Sequence, residues 1–322
     1  MIRPFDPSRD YPAVAELAAR TNPHSSDTAE TLRYRDETRE DRVRLLRLVV
    51  EVPDAGVVAA GRLMHIWWAF HPDHYQLRLE VDQPWRQRGI GAVLFDRLLT
   101  ELESWQPELV RAEARTQDGI QFLQQRGFAE WHRRNEFFLH VAEARTDHLL
   151  AAARCATESG VRFSTYAAEL AVRGPGFARE VYAADSLFSA DEPTNLDAPD
   201  VDPMSFERFA ASQLDGAETL PDAHFLAFFG DQIVGLSRLN RNARQPHVLR
   251  QDLTGVHAAF RGRGIAQALK LRTIEYARER GYTEIETSND AANGPMVHIN
   301  ESIGFKPEPP ILIFERRFRK AL

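Results

Sequence analysis

The sequence predicts two tandem domains of the mixed α/β class, each with a mixed sheet flanked by helices. The chain has 322 residues, which is more than a single hydrophobic core usually serves. Gly264 lies 175 residues after Gly89 in a similar motif, and Gly304-Phe305 lies 177 residues after Gly127-Phe128. Because the two copies keep nearly one domain-sized offset, we interpret the chain as a duplicated domain.

Apolar periodicity around the first motif predicts a strand, a glycine turn and a helix. Residues 75–81 alternate between apolar and polar side chains, which is the period of a strand. From Ile90 to Trp105, apolar residues recur every three or four positions, which is typical of an amphipathic helix. The second motif repeats this pattern less regularly between Ile265 and Ala277. The remaining predicted elements are short strands at 110–115 and 284–288 and short helices that end at Gly127 and Gly304.

The predicted domains are residues 1–145 and 146–322. The boundary falls within 141–160, a stretch that contains a predicted helix at 147–157. The segment 191–203 is rich in Pro, Asp and Asn, and we interpret it as a loop inside the second domain.

Composition and charge exclude several classes of function. The formal net charge of −7 argues against a general nucleic-acid-binding protein, whose affinity depends on a basic surface. The apolar stretch 57–70 is interrupted by Arg62 and His65, so it does not have the pattern of a membrane span. The first six residues lack the apolar run of a signal peptide. We therefore expect a cytoplasmic protein without nucleic-acid or membrane partners.

Cysteine and metal chemistry are not indicated by the sequence. The chain contains one cysteine, Cys155, so an intramolecular disulfide is impossible. Nothing near Cys155 in the sequence suggests a paired base, and we interpret it as chemically inert. No group of His, Cys and Asp has the spacing of a metal site, so the sequence predicts no metal.

Both glycine motifs are candidate anion-binding turns at helix starts. The first backbone amides of a helix have no internal partners, and the helix dipole adds partial positive charge there. Glycine lets the chain turn tightly and lets a phosphate approach the backbone, while arginine adds a full charge. Neither motif has the third glycine of a dinucleotide fingerprint, and a Walker Gly-Lys-Ser/Thr occurs nowhere. The candidate turns are Arg86-Gln87-Arg88-Gly89-Ile90-Gly91-Ala92 and Arg261-Gly262-Arg263-Gly264-Ile265-Ala266.

These motifs resemble those of the GNAT superfamily of acyl-CoA N-acyltransferases in a tandem two-domain arrangement. The pyrophosphate motif of that family, Arg or Gln–x–x–Gly–x–Gly or Ala, is matched from Arg86 and from Arg261. The family's closing Gly-Phe is matched at Gly127 and Gly304. The second copy adds a more specific spacing, which consists of Asn289, Asn293, Met296 and Asn300. The resemblance covers residues 75–128 and 250–305.

The resemblance implies a sheet in which two neighbouring parallel strands splay apart around the pantetheine arm of acetyl-CoA. Backbone groups near Val81 and Val256 would pair with that arm. The resemblance also implies direct acyl transfer from the thioester to an amine, without a covalent enzyme intermediate. We expect Asn289 to cap the following helix and Asn293 to contact the coenzyme.

The second copy alone carries a candidate general base at the expected position. An alkyl ammonium with a pKa of about 10.4 must lose a proton before it attacks, which costs roughly 4.6 kcal/mol at pH 7, so a base is useful. Family members often place the base on the strand before the glycine turn. Asp252 lies four residues before Val256, and the strand period puts both on one face. The first copy has Leu77 there. The alternative interpretation of Asp252 is a solvated strand-end carboxylate.

Glu286, on the following strand, is a second candidate base. Its counterpart in the first copy is Glu113. Because both copies have an acid there, the alternative interpretation of Glu286 is a structural salt bridge. The tyrosine that serves many family members as general acid is missing, because the position holds Asn300 in the second copy and Leu123 in the first. Asn cannot donate a proton as an acid, so we assign no general acid.

These observations predict a catalytic C-terminal domain and an N-terminal domain that binds coenzyme structurally or not at all. The leading hypothesis is transfer of an acetyl or other short acyl group from acetyl-CoA, the co-substrate, to a primary amine of a small molecule. The alternatives are a non-catalytic acyl-CoA-binding sensor or scaffold, and a peptide or protein N-acetyltransferase. The acceptor, the acyl length and the oligomeric state cannot be read from the sequence.

Overall fold

The computed structural model describes residues 1–190 and 201–318. The loop predicted at 191–203 lies outside the described residues, except for its last three positions. No helix in the described part of the chain is long and apolar enough to cross a membrane.

The described chain divides into two compact units, each of which contains chain from both halves of the sequence. Unit 1 consists of Met1–His132, a short segment that ends at Met204, and the chain from Ile311 onward. Unit 2 begins at Arg133 and includes Ser205–Pro310.

The first half of the chain alternates strands and helices. In order, it forms β1 (Ile2–Pro4), α1 (Asp10–Thr21), α2 (Ala29–Glu37), β2 (Leu45–Val52), β3 (Gly56–His65), β4 (Ala69–Phe70), β5 (His74–Val81), α3 (Ile90–Glu103), β6 (Leu109–Ala114), α4 (Gln117–Gln124) and β7 (Ala129–His140).

The second half repeats this order with three differences. It forms α5 (Asp147–Glu158), β8 (Val161–Thr165), α6 (Tyr166–Arg173), α7 (Phe177–Ser189), β9 (Asp202–Pro203), α8 (Phe206–Phe209), β10 (Thr219–Phe229), β11 (Gln232–Arg241), β12 (Val248–Val256), α9 (Ile265–Glu279), β13 (Glu284–Asp290), α10 (Gly294–Ile303) and β14 (Lys306–Arg317). The helix α5 precedes the repeated order, the short elements β9 and α8 lie before β10, and the described chain has no counterpart of β4 between β11 and β12. The predicted fold class, a mixed α/β duplication, is confirmed.

Each unit has a mixed sheet that is completed by a strand from the other half of the chain. The strand order is β1-β2-β3-β5-β6-β14 in unit 1 and β7-β13-β12-β11-β10-β8 in unit 2. From Ile311 onward, β14 belongs to unit 1 and pairs with β6. From Arg133 onward, β7 belongs to unit 2 and pairs with β13. Strands β4 and β9 form a separate short ladder.

Helices bury apolar faces against each sheet. In unit 1, Leu94 and Leu98 of α3 are fully buried in a core that also contains Phe314 of β14. In unit 2, Ile265 and Leu269 of α9 lie in a core that contains Leu139 of β7. The strand that each unit takes from the other half of the chain therefore contributes to its hydrophobic core. Burial of one apolar side chain contributes about 1.5–3 kcal/mol to stability.

The parallel strands of each unit pair over four residues and then diverge. Strands β5 and β6 pair from His74 opposite Leu109 to Leu77 opposite Ala112, and no further. Strands β12 and β13 pair only up to Gln251 opposite Thr287. Beyond these points β5 and β12 stay on their antiparallel neighbours, β3 and β11. Both units therefore contain the predicted splay.

Candidate functional site

The two glycine turns have the same backbone conformation. Gly89 and Gly264 are the N-cap residues of α3 and α9, with φ of 78° and 76° respectively. This left-handed conformation costs a residue with a Cβ about 1–2 kcal/mol. Neither helix start receives a side-chain cap. No side chain therefore competes with an anion for the first-turn amides, and anion binding at these turns stays a prediction.

An arginine connects each turn to the end of the preceding strand. Arg86 Nε donates a hydrogen bond to Val81 O at 2.9 Å, and Arg261 Nε donates to Val256 O at 3.2 Å. These residues therefore fix the geometry of the turn in addition to adding positive charge.

Helix α5 distinguishes the turn of unit 2 from that of unit 1. A Cβ on Gly264 would lie 2.7 Å from the carbonyl oxygen of Ala152 in α5, whereas one on Gly89 would have no neighbour within 4 Å. Two residues earlier, Gly262 and its counterpart Gln87 both have positive φ, 77° and 59°. A non-glycine residue is therefore accommodated at that position of the turn, and Gly262 has open space around it.

Strand β12 contains a β-bulge at the splay, and β5 does not. Ser237 pairs with Thr254, and Leu239 pairs with Gln251. Between these two pairs β12 advances by three residues and β11 by only two, so β12 contains one additional residue. The pairing of β3 with β5 is regular over its whole length. A bulge leaves backbone groups out of the ladder and redirects side chains, and bulges are common beside active sites.

The bulge places Asp252 and Val256 on opposite faces, so the prediction that they share a face is wrong. The Gln251 side chain donates to Ser237 and Thr254 at 2.7 and 3.1 Å, which puts residues 251 and 254 on one face. Val256 packs with the core under α9. A Cβ on Gly255 would instead meet Phe188 of α7 at 2.5 Å. The extra residue breaks the two-residue period on which the prediction relied.

The bulge also changes which residues of the two units correspond. Leu77 and Gln251 are each the last paired residue before the splay, so the counterpart of Asp252 is Arg78 and not Leu77. On the neighbouring strand, the counterpart of Glu286 is Arg111 and not Glu113, because both lie one residue before the last pair. Both predicted correspondences are corrected by the observed register.

Asp252 belongs to a buried ionic cluster on the face covered by α7. Arg238 Nε donates to Asp252 Oδ2 at 2.8 Å, and Arg238 Nη1 donates to Asp185 Oδ1. The side chains of Arg238 and Asp185 are 6% and 10% exposed, whereas that of Asp252 is 43% exposed. Asp252 is therefore the member of the cluster that a ligand can reach.

Electrostatics keep Asp252 ionised. Burial would raise the pKa of the Asp252 carboxyl, but the charge and hydrogen bond of Arg238 outweigh it and lower that pKa. Burial raises the pKa of Asp185, against the opposing effect of Arg238. Burial, with Arg238 nearby, lowers the pKa of His224 to about 3, so its ring is neutral at pH 7. An Asp with a lowered pKa is a weak base but a good partner for a cation.

Glu286 lies within the paired part of the parallel strands. It faces Arg250 across the β12–β13 ladder, one residue before the splay begins. Glu286 therefore lies close to Asp252 in the sheet, but within the paired part of the strands and before the point where they diverge.

Asn293, and not Asn289, caps the helix that follows β13. Asn293 is the N-cap of α10 and accepts a hydrogen bond from Met296 N at 3.3 Å. Asn289 Oδ1 accepts from Asn300 Nδ2 at 2.5 Å. The prediction that Asn289 is the cap is therefore wrong, because β13 continues through Asn289 to Asp290. Asn300 is fully buried, and Leu123 is in the core of unit 1.

Sequence analysis did not identify a cluster in unit 1 formed by His71, His74 and Glu108. Their potential ligand atoms lie within 4.8 Å of one another. The two imidazole rings stack at 3.9 Å with an interplanar angle of 24°, and burial and the neighbouring His71 lower the pKa of His74 to about 4. Imidazole lone pairs lie in the ring plane, so stacked rings do not direct them at one ion. The absence of a metal stays a prediction.

Arg238, Asp185 and the bulge were also missed by the sequence analysis. Arg238 is the counterpart of Arg62. Arg238 lies three residues after the partner of Val256 in the β11–β12 ladder, and Arg62 lies three residues after the partner of Val81 in the β3–β5 ladder. An alignment of the two hairpins through these arginines is the signal that would have identified Arg238. The sequence offers no comparable signal for Asp185, which lies 53 residues before Arg238.

Solved structures with the same fold include a tandem GNAT protein and other acetyltransferases. A GCN5-related N-acetyltransferase from Sphaerobacter thermophilus is 19% identical, with 100% of this chain and 96% of that chain covered and a TM-score of 0.66. A tandem GNAT protein from the clavulanic acid biosynthesis pathway is 17% identical, with 98% of each chain covered and a TM-score of 0.69. A putative acetyltransferase from Pyrococcus horikoshii is 13% identical, with 99% and 90% covered and a TM-score of 0.55.

The chain thus has the tandem GNAT fold of acyl-CoA N-acyltransferases. Residues 181–305 match the model of the Acetyltransferase (GNAT) family. The matched segment contains the bulge, the splay and the glycine turn of unit 2. A search of curated proteins gave no significant match.

Proposed function

We propose that unit 2 transfers an acetyl or other short acyl group from acyl-CoA to the primary amine of a small molecule. The observation that carries this proposal is a combination of three features in unit 2. The parallel strands β12 and β13 splay apart, β12 has a bulge at the splay, and the glycine turn that follows β12 has no side-chain cap. Unit 1 has the splay and the turn but a regular β3–β5 ladder.

We assign the coenzyme pyrophosphate to the turn at 261–266. The amides of Ile265 and Ala266 open α9 without a side-chain cap, and a phosphate at this position would also interact favourably with the helix dipole. Val256 and Asn289 lie beyond the last pair of β12 and β13. We assign the backbone of Val256 and the side chains of Asn289 and Asn293 to the pantetheine arm.

We assign Asp252 to recognition of the acceptor as an ammonium ion. Asp185 and Asp252 pair with Arg238. Glu286 stands opposite Arg250 on the neighbouring strand, so three carboxylates stand against two guanidinium groups. The excess negative charge beside the splay favours a cationic acceptor. Because its lowered pKa makes Asp252 a weak base, we retain Glu286 as the candidate that accepts the amine proton.

The experiment that tests the coenzyme site compares Gly262→Glu with Gly262→Gln. Position 262 is open, and the Gln variant reproduces Gln87 of unit 1 in the same backbone conformation. We expect the Gln variant to bind acetyl-CoA in calorimetric titration, and the Glu variant to lose binding because its carboxylate repels the pyrophosphate. Equal binding and turnover by both variants would overturn the site assignment.

Stoichiometry in the same titration distinguishes the roles of the two units. One acetyl-CoA per chain, abolished by Gly262→Glu, supports coenzyme binding in unit 2 alone. Two sites would assign a coenzyme role to the turn at 86–92 as well. No heat from wild-type protein would contradict the enzyme proposal.

A non-catalytic acyl-CoA sensor is the second candidate. It is favoured by Asn300, which occupies the position of the family's acid and is bonded to Asn289 in the interior. This candidate predicts coenzyme binding without amine-dependent release of thiol from any member of an amine panel.

A further inference from the structure

Unit 1 contains a small cavity with an excess of positive charge. The cavity has a volume of about 40 Å³ and lies between α1, α2 and strands β2, β3 and β5. Its charged lining residues are Asp27, Arg47, Arg62, Arg78 and Glu80. Three guanidinium groups therefore face two carboxylates.

The two carboxylates already have close partners. Asp27 pairs with Arg35 at 2.5 Å and with Arg78 at 3.2 Å, and Glu80 pairs with Arg78 at 2.7 Å. Burial would raise the pKa of the Asp27 carboxyl, but these guanidiniums outweigh it and lower that pKa to about 2. Both acids thus form their ion pairs with arginines other than Arg62, and the charge of Asp27 offsets only part of the effect of burial on Arg62.

Arg47 is also neutralised, and Arg62 is not. Arg47 pairs with Asp36 on α2 through two hydrogen bonds, one of them 2.8 Å long. Arg62 forms no ion pair within the described residues. Its one hydrogen bond joins Nη2 to Gln76 Oε1 at 3.5 Å, and its buried Nε has no partner. Burial, with Arg78 and Arg47 nearby, lowers the pKa of Arg62 to about 10. A buried polar group without a partner indicates a missing ligand or water.

Unit 2 neutralises the equivalent arginine. Arg238, the counterpart of Arg62, lies between Asp185 and Asp252. In unit 1 the position of Asp252 is occupied by Arg78, which stands opposite Arg62 in the β3–β5 ladder. The duplication has therefore kept the central arginine and replaced an acidic partner with a basic one.

We propose that unit 1 is a binding site for a small carboxylate, held by Arg62 with support from Arg47 and Arg78. A guanidinium presents a planar pair of donors that matches a carboxylate. At about 10–15 Å³ for each water-sized site, the cavity has room for roughly three or four heavy atoms, which is the size of formate or acetate. A bound carboxylate would give the Arg62 Nε an acceptor and cancel the excess charge.

The experiment measures the melting temperature of the full chain in sodium acetate against sodium chloride at equal ionic strength. We expect wild-type protein to melt roughly 3 °C or more higher in saturating acetate, with a saturable dependence on acetate concentration. Arg62→Met should lose this difference, and Arg62→Lys should keep part of it. Arg97→Gln is the matched control, because Arg97 is an exposed residue of α3 whose loss changes the net charge equally.

Several outcomes would overturn the proposal. Equal melting temperatures of the wild type in acetate and chloride would mean that water alone fills the cavity. An acetate response that persists in Arg62→Met would be a general salt effect. A response to phosphate or sulfate without one to acetate would exclude the carboxylate class. If Arg62→Met does not fold, a smaller acetate response in Arg62→Lys than in wild type, with the full response kept in Arg97→Gln, supports the site instead.

Discussion

At the scale of single residues, the two units differ in the sign of charge at matching positions beside the splay. Asp252 and Glu286 of unit 2 correspond to Arg78 and Arg111 of unit 1. Coulomb energies between neighbouring charges reach several kcal/mol near a protein surface. These two differences therefore give matching positions of the two units opposite local charges.

Replacement of Asp252 by Asn tests the assignment of the acceptor. The change removes the reachable charge and leaves a side chain of the same shape, so the fold should be retained. We expect kcat/KM for the amine to fall by about 10- to 150-fold, since a hydrogen bond to a charged group contributes about 1.5–3 kcal/mol. Steady-state kinetics with the amine varied would check this, and an unchanged kcat/KM would remove Asp252 from the site.

The matched glycines test the packing of the turn. Gly264→Ala should destabilise the protein by more than about 2 kcal/mol, because left-handed strain adds to the contact with the Ala152 carbonyl oxygen. Gly89→Ala introduces the strain alone and should cost about 1 kcal/mol. Urea unfolding of both variants measures the difference, and equal losses would contradict the contact with α5.

At the scale of elements, the bulge in β12 and the burial in α9 modify a repeated framework. The bulge inserts one residue where the strands part, which turns Asp252 toward α7. Helix α9 buries Lys270 to 1% exposure, with its Nζ 5.4 Å from the centre of the Phe305 ring. Burial lowers the pKa of Lys270 to about 7.

The lowered pKa of Lys270 makes the stability of unit 2 depend on pH. Its folded pKa is below its unfolded value of 10.5, so the unfolded state binds the additional proton between about pH 7 and 10.5. The free energy of unfolding should therefore rise with pH in this window, while the full penalty is present below it. Lys270→Met should be more stable than wild type by a few kcal/mol below pH 7, and the gain should shrink toward pH 10.5. Chemical unfolding of both proteins across this range is the measurement, and a gain independent of pH would exclude titration of Lys270.

At the scale of the whole molecule, neither half of the sequence contains all the strands of one unit. Residues from Ile311 pair with β6 in unit 1, and residues from Arg133 pair with β13 in unit 2. The β6 edge and the core around Phe314 depend on a strand that follows β6 by about two hundred residues in sequence.

Division of the chain at the predicted boundary tests this dependence. A fragment of residues 1–145 lacks β14, so we expect it to aggregate or to unfold without a cooperative transition, because an unpaired edge and an exposed core promote association. The same fragment fused through a flexible linker to residues 306–318 should unfold cooperatively. Circular dichroism during urea titration would show the difference, and a cooperative transition of the unfused fragment would contradict the prediction.

The sequence by itself determined the duplication, the order strand–turn–helix–strand–helix around each motif, and the positions of both glycine turns. These features depend on residues close together in the chain: apolar periods of two or three to four, and glycines next to an amphipathic helix. The left-handed φ of Gly89 and Gly264 follows from such local signals.

Tertiary structure decided which strand completes each sheet, where the bulge falls and which charges neutralise one another. Pairing between β11 and β12 sets the bulge, and that one residue moves Asp252 to the other face and changes its counterpart from Leu77 to Arg78. Asp185 meets Arg238 across 53 positions of sequence. Contacts of this kind depend on the packing of a helix on a distant strand, and a local sequence pattern does not contain that information.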